Sequence, residues 1–275
     1  MQDDSDTQAY RLNPGDSSVV RLAQITDCHI LANAQDCLKG MNTRASFEAV
    51  CDSLMNHHAD LDLLLATGDL SQDASAASYR YLAQRFDALR RPLFWLPGNH
   101  DDAESMRAQL RGEWIFAHKQ LLAGNWLIVL LDSTVAGESG GRLADAQIEF
   151  LETCLRAKAD HHALVCLHHQ ALATGSEWID QLGLAQSERL GDTLKSHANV
   201  RAVLWGHVHQ QAHQRIDGIE WMSTPSTCVQ FKPGSKTFAL DDLAPGYRHI
   251  ELHADGSIVT EVQRLATRDF PGPAH

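Results

Sequence analysis

The sequence predicts a layered α/β fold built as one large domain. Three observations predict it. Apolar runs of strand character alternate with segments of helical period from Val19 to His209, and β-hairpin patterns follow. Length agrees: the chain has 275 residues, and a chain near 300 residues buries roughly 75% of its unfolded surface. Composition agrees too, with 44% hydrophobic residues and no low-complexity stretch.

The elements follow in order. Residues 1–18 are polar, contain Pro14-Gly15, and are expected to form a loose tail. VVRLAQITD (19–27) is β-rich. Asn42-Thr43 offers a helix cap, with Phe47, Val50, Cys51 and Leu54 at helical spacing behind it. LDLLLATGD (61–69) reads as a buried strand, and Ser75 to Leu89 as a helix presenting Tyr79, Leu82 and Phe86. PLFWLPGNH (92–100) and NWLIVLLDS (125–133) are strands, followed by a helix carrying Ile148, Leu151 and Leu155. ALVCLHH (163–169) and VRAVLWGHVH (200–209) are strands separated by a further helix. IEWMSTPST and YRHIELHADGSIVTEVQRL, with its Asp255-Gly256 turn, read as hairpins. The expected organisation is one domain over 19–266 and a short tail over 267–275.

Charge excludes some functions. With 23 Lys+Arg against 35 Asp+Glu the net charge is −12, which opposes non-specific binding to nucleic acid or to an anionic membrane. No apolar run approaches the ~20 residues of a membrane span, and the acidic, polar stretch MQDDSDTQAY is not expected to act as a secretory signal. The six cysteines include no C-x-x-C pair. They are expected to be free thiols in a cytoplasmic protein, with Cys51, Cys154 and Cys166 in apolar surroundings. If the substrate is a phosphate, something other than net charge attracts it, and the 16 histidines are the first hint of what.

Five strand ends carry metal-ligand types: Asp27-Cys28-His29, Gly68-Asp69, Gly98-Asn99-His100-Asp101, His168-His169 and Gly206-His207-Val208-His209. Sites in α/β sheets form beyond the carboxyl ends of strands. Strand parity would aim Asp27 and His29 to one side and Cys28 to the other, and glycine before Asp69, Asn99 and His207 would permit tight turns. The ligand count is Asp27, His29, Asp69, Asn99, one of the two adjacent histidines, His207 and His209. That is too many for one tetrahedral ion and suits two ions sharing a carboxylate. Nitrogen and oxygen donors without thiolate suit Mn, Fe, Zn or Co. Two such ions clamp both oxygens of an in-line displacement at phosphorus. Each motif alone is weak. The five in order, each at a strand end, are not.

This order of motifs, over residues 20–209, resembles the calcineurin-like metallophosphoesterase family. The resemblance implies a four-layer αββα sandwich of two mixed β-sheets flanked by helices, with a dinuclear metal centre. Carried over by motif, Asp27, His29 and His209 would hold one ion. Asn99, His168 and His207 would hold the other, and Asp69 would bridge them. His168 is chosen over His169 because the family's ligand is the first histidine after that strand. GMNTRASFEAV (40–50), GSEWIDQLGL (175–184), TPSTCVQFKPGS (224–235) and APGYRHIELHADGSIVTEVQRL (244–265) are similar to the family's bacterial class III 3′,5′-cyclic AMP phosphodiesterases. Where family members often have His-His-Pro-Pro, this chain has His168-His169-Gln170-Ala171.

The implied reaction is hydrolysis of cyclic AMP to 5′-AMP, with a hydroxide held by two divalent ions as nucleophile. Iron and manganese rank ahead of zinc and cobalt. His29, Asp69, Asn99, His100 and His209 are expected to contact substrate, and His100 to be catalytic, donating a proton to O3′ or stabilising charge on the phosphate. Asp101 either orients His100 or caps a helix. His169 contacts substrate or packs. Trp178 stacks on adenine or packs. Asn42 and Thr43 line the entrance or cap a helix. His57, His58, His161 and His162 are expected at the solvated surface. Phe231 and Lys232 are candidates for a partner surface. The alternatives are a broader metallophosphoesterase and a non-catalytic metal-bearing scaffold. The expected partner is a small cyclic nucleotide, with neither nucleic acid nor membrane, in a monomer or homodimer.

Overall fold

A computed structural model describes residues 8–15 and 18–266. The main elements are β1 (Tyr10–Leu12), β2 (Val19–Ile25), α1 (Thr43–His57), β3 (Leu63–Thr67), α2 (Ala76–Ala88), β4 (Leu93–Leu96), α3 (Ala103–Gln109), β5 (Ile115–Phe116), β6 (Gln120–Ala123) and β7 (Trp126–Leu130). After them come α4 (Asp145–Ala157), β8 (His162–Cys166), α5 (Glu177–Asp180), α6 (Ser187–Lys195), β9 (Val200–Trp205), β10 (Ala212–Ile216), β11 (Ile219–Ser223), β12 (Gly246–His253) and β13 (Ile258–Arg264). One sheet runs β13-β12-β2-β3-β4-β5 and the other β1-β6-β7-β8-β9-β11-β10. Strands β2 to β5 are mutually parallel, as are β7, β8, β9 and β11.

Alternation along the strands explains the layering. Leu63 and Leu65 face the core between the sheets, whereas Leu64 and Ala66 face the outer core beneath α1 and α2. In the other sheet Trp126, Ile128 and Leu130 point between the sheets, and Leu127 and Val129 point at α4. A strand buried on both faces reads as a continuous apolar run, which is why LLLAT carries no visible alternation. Three cores separate four layers, the expected αββα sandwich. Truncating a fully buried leucine such as Leu164 to alanine costs about 2–5 kcal/mol.

The first two helices begin at side-chain caps. Asn42 accepts from the backbone N–H of Ala45 and Ser75 from that of Ser78. Asn42 therefore serves as a cap. One expectation is corrected at the N-terminus. Tyr10–Leu12 is not loose tail but a strand pairing in parallel with β6, with Tyr10 packed edge-on against Phe94 at 5.0 Å. The rest of the expected tail at 1–7 and 16–17, and the tail at 267–275, lie outside the described residues.

Between the sheets runs a polar chain. Gln24 donates to Thr67 Oγ1 at 2.7 Å and to the Trp205 carbonyl at 3.1 Å, and accepts from Thr224. Buried Arg248 donates to Thr224, Thr260, Ala212 and Ser223. These bonds join β2, β3, β9 and β12, and so fix the two sheets' carboxyl ends against each other.

Candidate metal centre

The loops after β2, β3 and β4 in one sheet, and after β8 and β9 in the other, converge at one end of the sandwich. Their side chains form overlapping groups: Asp27, His29 and His209; His168, His169 and His207; Asp27, Asp69 and His168; His29, Asp69 and His100. In each group the donor atoms lie within 4.8 Å of one another. Asp69 stands between the groups. Its Oδ2 is 3.6 Å from His29 Nε2 and its Oδ1 is 3.4 Å from His168 Nε2. Asp27 Oδ1 is 3.4 Å from His209 Nε2. Asn99 lines the same cleft and its buried Oδ1 has no partner.

Backbone shape, not strand parity, aims these groups. Asp27, His29, Asp69, His207 and His209 all adopt left-handed φ, between 46° and 65°. They are half of the ten non-glycine residues that do so among those described. Each such residue costs of order 1–3 kcal/mol. The expectation that Asp27 and His29 extend a strand is corrected, since β2 ends at Ile25. Cys28 still packs in the core beneath α1. Of the three glycines expected to turn the chain, only Gly68 has positive φ, at 93°. The others serve close approach: a Cβ on Gly98 would strike Asp69, and one on Gly206 would strike Thr26 and Asp27.

Neighbours orient the ligand rings. His29 Nδ1 donates to Gln72 Oε1 at 2.7 Å, His168 Nδ1 to the Thr67 carbonyl at 2.9 Å, and His209 Nδ1 to the Val229 carbonyl at 2.7 Å. Each assignment turns Nε2 inward, where its lone pair is free for a cation once the ring is neutral. Phe231 stacks flat on His209, 3.9 Å between centroids, so it belongs to the site wall. Asp27 accepts from the His207 N–H at 3.0 Å and from the Thr26 hydroxyl at 2.7 Å. Ser226 donates to the Asp27 carbonyl.

These residues fit a pair of cations. His29 Nε2 and His209 Nε2 face each other at 3.1 Å, lone pair to lone pair. His168 Nε2, His169 Nε2 and His207 Nε2 are buried without partners. An unpaired buried polar atom costs about 1–3 kcal/mol, and several converging on two buried carboxylates form a cradle for positive charge. Burial pushes His29 down to about 4, His169 down to about 3 and His207 well below the usual range. All three are neutral and ready to ligate. Burial alone would push Asp27 and Asp69 up, but the surrounding histidines outweigh it and hold both below the usual range. Burial also opposes charge on His168, yet Asp69 beside it raises His168 to about 9.

The structure brings together all seven expected ligands and places His100 at the mouth. His100 is exposed, its ring 4.9 Å from that of His29 and its backbone N–H bonded to Asp69 Oδ1. Both expectations for Asp101 are corrected. Asp102 caps α3, and the Asp101 carboxylate accepts from the N–H groups of Leu70, Ser71 and Gly98 and from the Tyr79 hydroxyl. It ties the loop after β3 to the loop after β4. Burial and Asp69 raise it to about 6. His169 is held by Ser133 at 2.8 Å and its ring lies 4.7 Å from that of His207. Gln170 donates to the Ile179 carbonyl at 2.7 Å and its own carbonyl accepts from Leu184 N–H, so this loop is tied without Pro-Pro. The cleft holds about 120 Å³ and is walled by Ser139, Trp178, Ile179, Leu182 and Phe231. Sequence reasoning missed Gln72, Ser133 and Thr26 as supports. Nothing local marks them, because each acts through a contact that only the fold creates.

Residues 20–211 match the calcineurin-like phosphoesterase family. Among curated relatives, the 3′,5′-cyclic adenosine monophosphate phosphodiesterase CpdA of Vibrio vulnificus is 44% identical over 252 residues, covering 91% of this chain and 92% of that one. CpdA of Escherichia coli K12 is 43% identical with the same coverage. Among solved structures, a dimetal phosphatase from Danio rerio superposes with a TM-score of 0.62 at 16% identity, covering 88% of this chain and 98% of that one. That likeness shows the fold.

Proposed function

The chain belongs to the calcineurin-like phosphoesterase family, and on that premise we propose that it hydrolyses 3′,5′-cyclic AMP to 5′-AMP at this cleft. One observation carries the reading: buried, unpartnered nitrogen and oxygen donors converge on two carboxylates at a cleft in a chain 44% identical to a cyclic AMP phosphodiesterase.

Asp27, His29 and His209 would hold one divalent ion, and Asn99, His168 and His207 the other. Asp69 would bridge, since its two oxygens face the two groups. Such a pair, iron or manganese here, supplies Lewis acidity and activated water at neutral pH. The chain's own residues do the rest. Gln72 Nε2 lies 3.3 Å from His100 Nδ1 and donates to it, which puts the ring proton on His100 Nε2. From the mouth of the cleft that proton is available to the departing O3′. The His100 N–H on Asp69 and the Asp101 ties keep this loop in register with the ligands. Trp178, Ile179, Leu182 and Phe231 give the purine an apolar wall. The domain extends from β1 to β13. Its six cysteines are unpaired, Cys37 exposed among them, which supports a cytoplasmic setting.

The test is turnover of cyclic AMP by purified protein loaded with Mn²⁺ or Fe²⁺, with the product read by chromatography. 5′-AMP is expected, and faster turnover than with cyclic GMP or an aryl phosphodiester. No AMP with Mn²⁺, Fe²⁺, Zn²⁺ or Co²⁺ overturns the reading. Equal rates on all three substrates replace it with a broad phosphodiesterase.

A further inference from the structure

A second group of ligand-type side chains lies away from the cleft, on the outer face of the β13-β12-β2 edge. His249 and Glu261 sit directly opposite each other on β12 and β13, so both side chains leave the same face of the sheet. His58, at the C-cap of α1, lies over them. Its ring stacks on His249 with centroids 4.1 Å apart and planes 11° from parallel. One donor atom from each of the three residues falls within 4.8 Å of the others.

Stacking alone does not account for this arrangement. His249 is 8% exposed and its Nε2 is buried without a partner. Gln263 Oε1 fixes the neighbouring ring, 3.2 Å from His58 Nε2, while accepting from the Tyr247 hydroxyl at 2.8 Å. Carboxylates face His249 from three elements: Glu251 on β12, Glu261 on β13, and Asp60 after α1. Arg21 engages Asp60 and Glu251, which leaves Glu261 as the carboxylate of the group. Two imidazoles and one carboxylate, with a side open to solvent, match a borderline metal that keeps water in its remaining position.

We propose that His58, His249 and Glu261 bind a further transition-metal ion of the zinc class, separate from the phosphoesterase centre. The ion would clip the end of α1 to the β12–β13 hairpin. His58 is far in sequence from the hairpin that carries His249 and Glu261, so binding would stabilise the folded state and not the unfolded one.

The test compares metal stoichiometry in the full-length protein equilibrated with Zn²⁺, and separately with Co²⁺ as an optical probe. Wild type is expected to hold one more ion per chain than His58→Ala or Glu261→Gln. Affinity for that ion should fall at least about 100-fold in His58→Ala, past the range for loss of a mere supporting group. His58 and Glu261 are not core side chains, so both variants are expected to fold and to keep their cyclic AMP turnover. An anomalous signal from bound zinc between His58 and His249 would place the ion directly. Equal stoichiometry in wild type and both variants overturns the proposal, whatever the occupancy of the phosphoesterase centre. Extra zinc retained by both variants but located elsewhere overturns it equally.

Discussion

Both ends of the sandwich drive the backbone into the left-handed region, but different residues bear it. At the end away from the cleft, the strands turn through hairpins. There positive φ falls on Gly124 between β6 and β7, on Asp217-Gly218 between β10 and β11, and on Gly256 between β12 and β13. Glycine and aspartate tolerate that geometry, and these turns close the ladder at little cost. At the cleft end it falls on Asp27, His29, Asp69, His207 and His209. None of those is glycine, and each carries a Cβ that makes the geometry costly. The contrast separates two uses of one backbone shape. In the hairpins it reverses the chain. In the site it bends the chain sharply enough to aim alternate side chains at a common point, and strain persists because the surrounding bonds over-determine it.

The largest effect is expected at Asp69, the residue facing both ligand groups. Asp69→Asn keeps the size but removes the charge that the two groups share. Turnover should fall by about 10³-fold or more, the equivalent of several kcal/mol of charge stabilisation. Metal content by elemental analysis should fall with it. Full loading and normal turnover would remove Asp69 from the centre. His100→Ala should be next, with kcat down about 10²–10⁴-fold and metal content unchanged, because His100 is at the mouth. Metal lost in His100→Ala would make it a ligand and not a proton donor.

Gln72 supports the strained end without belonging to it. Its amide joins His29 to His100. Gln72→Ala should weaken metal binding by about 10–100-fold, read by competition with a chelating dye. His168 adds a pH dependence. In the metal-free protein it is raised to about 9 by Asp69, so it holds a proton at neutral pH that binding must release. Affinity should rise about tenfold per pH unit from 7 toward 9 and level off above that. The same shift gives the metal-free fold stability that is full below about 6.5, His168's ordinary value, and is lost as pH climbs through about 9. Affinity flat between pH 7 and 9 would show that His168 is already neutral.

How far the sequence discloses this site follows from the range of the forces involved. The ligands are legible because Asp27, Asp69, Asn99, His168 and His207 each follow an apolar run, and that pattern is local. The layers are legible because strand and helix periods are local too. The left-handed φ of Asp27 and His29 is not, and it makes the parity argument for Cys28 wrong in its reason although Cys28 packs as expected. Asp101 misleads for a similar cause. Beside His100 and Asp102 in sequence, it bonds instead to Leu70, Ser71 and Tyr79, partners 22 to 31 residues away. Tyr10–Leu12 gains strand structure only by pairing with Leu121–Ala123. His58 looks like a surface residue after a helix until His249 arrives from the far end of the chain.

The smallest effect is expected at the hairpin end. Gly218 has φ of 83°, and a Cβ there meets nothing within 4 Å. Gly218→Ala therefore adds no clash, and its cost is the left-handed backbone alone, about 1–2 kcal/mol. The unfolding free energy should fall by that amount, read as a lower midpoint of chemical denaturation with m unchanged. Metal content and turnover should stay at wild-type values, because no bond of the turn reaches the ligands. If turnover fell along with stability, strain at the two ends would be coupled through the sheets. The left-handed ligands would then depend on the whole sandwich rather than on the hydrogen bonds around Asp27 and Asp69.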